Sequence, residues 1–194
     1  MRDGLSMLER LDLETKIHHG PADSARVALL GNPTRQRYAD FLARVYAFEA
    51  PAEWRWMRTP GLDTVVDLAP RLFAPRLAED LATLGRFPDV CPAHAFKGVA
   101  QALGWLYVVE RGRLMNSMLH RHLVRRLPFE SSIAGSYLGG SGSLGLRWQT
   151  LGATLDHLAV NPTMCTQIVN GALEAFRLMR HPLQPHTPAQ TKAA

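Results

Sequence analysis

Apolar side chains recur at helical spacing along almost the whole of this 194-residue chain. Nowhere do they alternate with period two for long enough to build a strand, so the pattern predicts an all-α protein. Leu5 to His19 runs without Gly or Pro, and Gly20-Pro21 is expected to end that first helix, because Gly suits a helix end and Pro cannot continue one. At 100° per residue Leu5, Leu8, Leu11 and Thr15 share one stripe, with His19 about 40° from its centre and His18 about 60° away on the other flank.

The rest continues helix after helix. Asp23 or Ser24 would cap a short helix ending near Gly31. Asn32 as N-cap and Pro33 at the first helical position open a helix over Thr34 to Glu49, ended by Pro51. Its Tyr38, Phe41, Leu42, Val45 and Tyr46 lie on one face. Ala93 to Leu127 reads as the longest helical pattern and puts Leu103, Leu106, Glu110 and Leu114 on a common stripe. A glutamate buried on such a stripe needs a partner, for which Arg111, Arg113 and Arg147 are the candidates. Helices over Leu146 to Leu158 and from Asn161-Pro162 to Arg180 follow. Residues 1–181 are expected to form one domain, with 182–194 a disordered Pro-rich tail.

Composition narrows the function classes. A net charge of +5 points to an anionic partner, yet no basic run is longer than Arg125-Arg126. A carboxylate-bearing ligand or an acidic protein therefore suits the chain better than a nucleic acid. Cys91 and Cys165 are too few for a disulfide framework, which fits a reducing compartment. No apolar run approaches a membrane span and no signal-peptide core opens the chain, so the cytoplasm is the expected location. Glu-x-x-His pairs, which a di-iron bundle requires, are missing. His120 and His122 point about 200° apart on a helix and cannot chelate together. His18-His19 followed by Asp23 reads either as a metal-ligand arrangement or as helix-end histidines held by the dipole.

Three motifs give that choice a direction: Glu14-Thr15-Lys16-Ile17-His18-His19 with Asp23; Gly104, Leu106, Tyr107, Val108 and Glu110; and Gly139, Gly145 and Trp148. Together they resemble the bacterial biliverdin-producing haem oxygenases over about residues 8 to 180. The resemblance implies a multi-helical haem oxygenase-like domain and oxidative cleavage of haem to biliverdin, CO and iron, using O₂ and an electron-donating reductase. Haem would be both substrate and cofactor. His19 would be the iron ligand and Asp23 the carboxylate that orients it. Tyr107 would border the haem, and Lys16 and Arg147 would meet the propionates. It leaves room for a bacterial photoreceptor or another protein as partner.

One departure falls on the distal helix. Where the family normally continues G-S-x-L-G-G, this chain has Arg111-Gly112-Arg113-Leu114-Met115-Asn116. Glycines there let the helix lie almost directly on the haem face. Side chains would block it, add a sixth iron ligand (Met115) or donate to a bound ligand (Arg111, Asn116), while Gly112 would stand in for one missing glycine. The resemblance thus supports a second reading as well: a non-catalytic relative that binds haem, another tetrapyrrole or a protein partner. A thiaminase-like hydrolase is a more distant one.

Overall fold

The computed structural model describes residues 4–87, 94–140 and 143–180, among which there is no strand. The expected tail at 182–194, Cys91 and the Ala93 helix start lie outside the described residues.

Helix α1 spans Met7–Gly31, so Gly20-Pro21 does not end it. Ser6 caps it in a reciprocal box with Glu9. Pro21 removes one helical donor, at a local cost of about 3 kcal/mol. Buried Leu11 and Thr15 before it and Arg26 and Leu29 after it hold the two halves in line. No separate helix starts at Asp23 or Ser24; the Ser24 hydroxyl donates to the Pro21 carbonyl at 2.9 Å. Leu5 is exposed, and Met7 fills the buried position at this end.

Helix α2, Arg35–Met57, runs through Pro51 in the same way, because Ala52, Glu53 and Trp56 beyond it are buried. Its N-cap is Thr34, whose hydroxyl accepts from the Arg37 N–H at 3.2 Å, and not Asn32. After a 3₁₀ turn at Ala69–Arg71 come α3 (Ala74–Thr83), α4 (Val99–Arg113), α5 (Asn116–Arg126), α6 (Pro128–Ile133), α7 (Ser136–Gly139), α8 (Leu144–Ala159) and α9 (Pro162–Arg180). The long central pattern is therefore two helices, broken at Leu114-Met115, and Leu114 is exposed rather than on the buried stripe. Asn161 opens α9, its side chain accepting from the N–H of Thr163 and Met164.

Two apolar clusters form the interior. One gathers α4, α8, α9 and the start of α1 around Leu103, Leu106, Leu151 and Ile168. The other gathers α2, α3, α5 and α7 around Leu42, Phe73, Leu77 and Tyr137. Elements of both are tied by a buried charged layer. The Arg113 guanidinium bridges Glu49 at 2.5 Å and Glu53 at 3.0 Å, and donates to the Arg71 carbonyl at 2.8 Å. Glu110, fully buried, sits 3.3 Å from Arg71, 3.3 Å from Arg147 and 3.4 Å from Arg113. Of the three partners expected for Glu110, Arg113 and Arg147 are present; Arg111 faces elsewhere and Arg71 takes its place.

Glu53 also closes the start of α3, accepting from the Phe73 and Ala74 N–H groups at 2.7 and 2.9 Å. Burial, with Glu49 nearby, pushes its carboxyl up to about 7 against the pull of Arg113 and those two donors. The unfolded chain loses this proton near 4.5 and the folded chain only near 7, so stability from this group falls as pH rises across that window. Glu53→Gln has no proton to lose. The difference in stability between variant and wild type should move in the variant's favour by about 3 kcal/mol between pH 4 and pH 8, read by urea denaturation at each pH. A difference that does not change with pH would refute this assignment.

Candidate functional site between the first and fourth helices

Because α1 does not stop at Pro21, it presents Asp12, Thr15, His19, Asp23 and Arg26 on successive turns of one face. Opposite stand Tyr107, Arg111 and Gly112 of α4. The Thr15 hydroxyl donates to the Leu11 carbonyl at 2.6 Å, so its oxygen accepts from His19 Nε2 at 2.9 Å. His19 Nδ1 lies 3.7 Å from an Asp12 oxygen. The ring rests 5.5 Å from that of Phe176, which also stacks on His18 at 5.8 Å. Burial, then the positive charge of Arg111, lowers the pKa of His19 against Asp12 and Asp23, so the imidazole is neutral at neutral pH.

Asp23 makes its ion pairs with α4. The Arg111 guanidinium meets it at 3.2 to 3.4 Å, and Arg26 lies 3.8 Å away on its own helix. Tyr107 is buried against Trp148, its ring 5.7 Å away, and burial pushes its hydroxyl up to about 12. At Gly112 an added Cβ would lie 2.8 Å from the Arg26 guanidinium.

Among solved structures, the NO- and CO-bound heme oxygenase of Neisseria meningitidis is similar to this chain, with a TM-score of 0.76 and 21% identity over 91% of this chain and 89% of that one. The fold is that of a haem oxygenase. No family model matches the sequence, and neither does any curated protein.

Within this haem oxygenase fold the remaining candidates scatter. Met115 sits half-buried at the turn between α4 and α5. Asn116 is fully buried, and neither atom of its amide has a partner. Lys16 is exposed on α1. Arg147 is buried against Glu110 and Ser143, away from the surface where a propionate would need it. A flat macrocycle lying between two helices needs a van der Waals contact on each side, about 7 Å between the flanking atoms. The Asp23–Arg111 bridge and the packing of Arg26 against Gly112 span the space between α1 and α4, and leave no such gap at these two points.

Asp12 and Arg26 were not among the residues singled out from the sequence. The signal was there: 12, 15, 19, 23 and 26 form one stripe once α1 is allowed to pass Pro21.

Proposed function

We propose that this chain is a non-catalytic protein of the haem oxygenase fold, whose haem-facing slot is closed by its own side chains. The observation that carries this reading is the Asp23–Arg111 bridge. It uses the carboxylate expected to orient the histidine and the first of the replaced distal glycines, and it joins them across the slot. His19 supports it, since the ring nitrogen Nε2 is turned to Thr15.

Haem cleavage remains the second reading, favoured by two observations: the neutral imidazole of His19 and the partial exposure (18%) of both bridge partners. Such a bridge keeps contact with solvent, so a ligand that gains more than the bridge contributes can displace it. In that case His19 would hold the iron and Lys16 would be the basic residue free to meet a propionate, with an external reductase supplying electrons.

A visible-absorption titration with hemin, followed by ascorbate in air, separates the readings. Wild type should give no His19-dependent Soret band and no biliverdin. Arg111→Gly should gain such a band, and Arg111→Gly with His19→Ala should lose it again. A wild-type Soret band abolished by His19→Ala but not by His18→Ala would overturn the closed slot. Its conversion to biliverdin absorption would establish the enzyme.

A further inference from the structure

On the far side of Arg26 the structure holds a cavity of about 470 Å³, between the second half of α1, the middle of α2 and the end of α9. That is the size of a small-molecule site. His19, Asp23, Tyr107 and Arg111 take no part in its lining. Its walls are mostly apolar, with Phe41, Val45, Phe48, Trp105 and Met179 among them, and Arg26, Arg44 and Arg55 supply the charge. Its one carboxylate, Glu49, is already engaged by Tyr137 and Arg113.

The guanidiniums are not matched in the same way. Arg26 is 5% exposed, yet its buried Nε has no partner, and its one carboxylate contact, Asp23, lies 3.8 Å away. Arg55 donates Nε to the His94 carbonyl and lies over the rings of Phe96 and Trp105 at 3.7 and 4.7 Å. Among the described residues no carboxylate comes within 4.0 Å of Arg44 or Arg55. Burying a cation without a counter-charge is costly, and burial accordingly lowers the pKa of Arg55.

We infer that this cavity binds an organic anion: an aromatic body seated between Phe41, Phe48 and Trp105, and a carboxylate or sulfonate head meeting Arg26 and Arg44. An apolar cavity with a few convergent charges is the usual form of such a site, and the guanidinium fork suits an anion of this planar kind. This cavity shares Arg26 with the edge of the His19 slot, but His19, Asp23, Tyr107 and Arg111 take no part in it, and the inference does not rest on the reading of that slot.

The probe is 8-anilinonaphthalene-1-sulfonate, compared with uncharged N-phenyl-1-naphthylamine, by fluorescence titration of the full chain. The sulfonate should bind at one saturable site, weakening with salt, and raise the melting temperature. Arg26→Met should weaken it at least tenfold and the exposed Arg44→Met about threefold, with the uncharged probe little affected by either. Ala25→Trp, which fills the cavity, should block both probes, and hemin should displace neither. Equal binding of both probes in all the arginine variants, or no saturable binding, would overturn the inference. Displacement by hemin in proportion to its binding would do the same, since the cavity would then be part of the haem site.

Discussion

Arg113→Met should cost about 3–5 kcal/mol of folding stability, enough to leave much of the protein unfolded at 37 °C, since whole domains are stable by only about 5–15 kcal/mol. Arg113 has no exposed surface, and its guanidinium neutralises Glu49, Glu53 and Glu110 together. Glu110 keeps Arg71 and Arg147 when Arg113 is removed. Glu49 then has only the Tyr137 hydroxyl and Glu53 only the two N–H groups of α3. Glu49 is left buried without a counter-charge and Glu53, already raised to about 7 with Arg113 present, is pushed further toward its protonated form, so both must protonate or the structure opens. Met replaces the volume of the side chain but none of its charge. Arg113→Lys should recover only part of the loss, because a single ammonium cannot reach both carboxylates and the Arg71 carbonyl as the fork does. Urea denaturation of both variants, with the exposed Arg121→Met as control, measures this. A loss below about 1 kcal/mol for Arg113→Met would mean that the layer is not the charged joint described here.

How much of this was legible in the sequence differs from element to element, for physical reasons. The face of α2 through Tyr38, Phe41, Leu42, Val45 and Tyr46 was readable because burial and helical period coincide there. Its continuation through Ala52, Glu53 and Trp56 was hidden behind Pro51. A proline is a strong local stop, but here buried residues on both sides outweigh the loss of one hydrogen bond, as they do around Pro21. Partners for Glu110 could be named because a glutamate on an apolar stripe demands them. That Arg111 is not one follows from its place about 100° further round α4, toward α1, where Asp23 meets it. Arg71 came from a 3₁₀ turn far away in the chain, and no local pattern places such a residue. The candidate site between α1 and α4 was half readable. His19, Asp23, Tyr107 and Arg111 do lie together, but only the fold shows that Asp23 and Arg111 close on each other. The arginine-bearing cavity is likewise a tertiary feature, built from three helices and the tip of a fourth.

Gly104→Ala should be as damaging as the loss of Arg113, from a single methyl group. Helices α4 and α9 pack along each other, and a Cβ at Gly104 would lie 2.2 Å from the Ile168 carbonyl oxygen and 2.6 Å from the Ala172 nitrogen. From the other side, a Cβ at Gly171 would lie 2.4 Å from the Gln101 carbonyl oxygen. These neighbours are helix backbone, which cannot turn aside as a side chain does, so either substitution must push the helices apart. The expected loss is about 3 kcal/mol or more. Gly20→Ala is the control: apart from its chain neighbours nothing lies within 4 Å of a Cβ there, and the gain of about 0.5–1 kcal/mol from replacing a mid-helix glycine is offset by crowding against the Pro21 ring, so the variant should stay near wild type. Melting temperatures should therefore place Gly20→Ala close to wild type and both far above Gly104→Ala and Gly171→Ala. A Gly104→Ala protein as stable as wild type would mean that α4 and α9 are not in backbone contact. The candidate site around His19 depends on the same contact. Phe176, the ring against which His18 and His19 rest, is carried by α9, whereas Tyr107 and Arg111 are carried by α4. Forcing these helices apart should therefore loosen His19 as well as lower stability, and the imidazole should then titrate closer to its ordinary value as water reaches it.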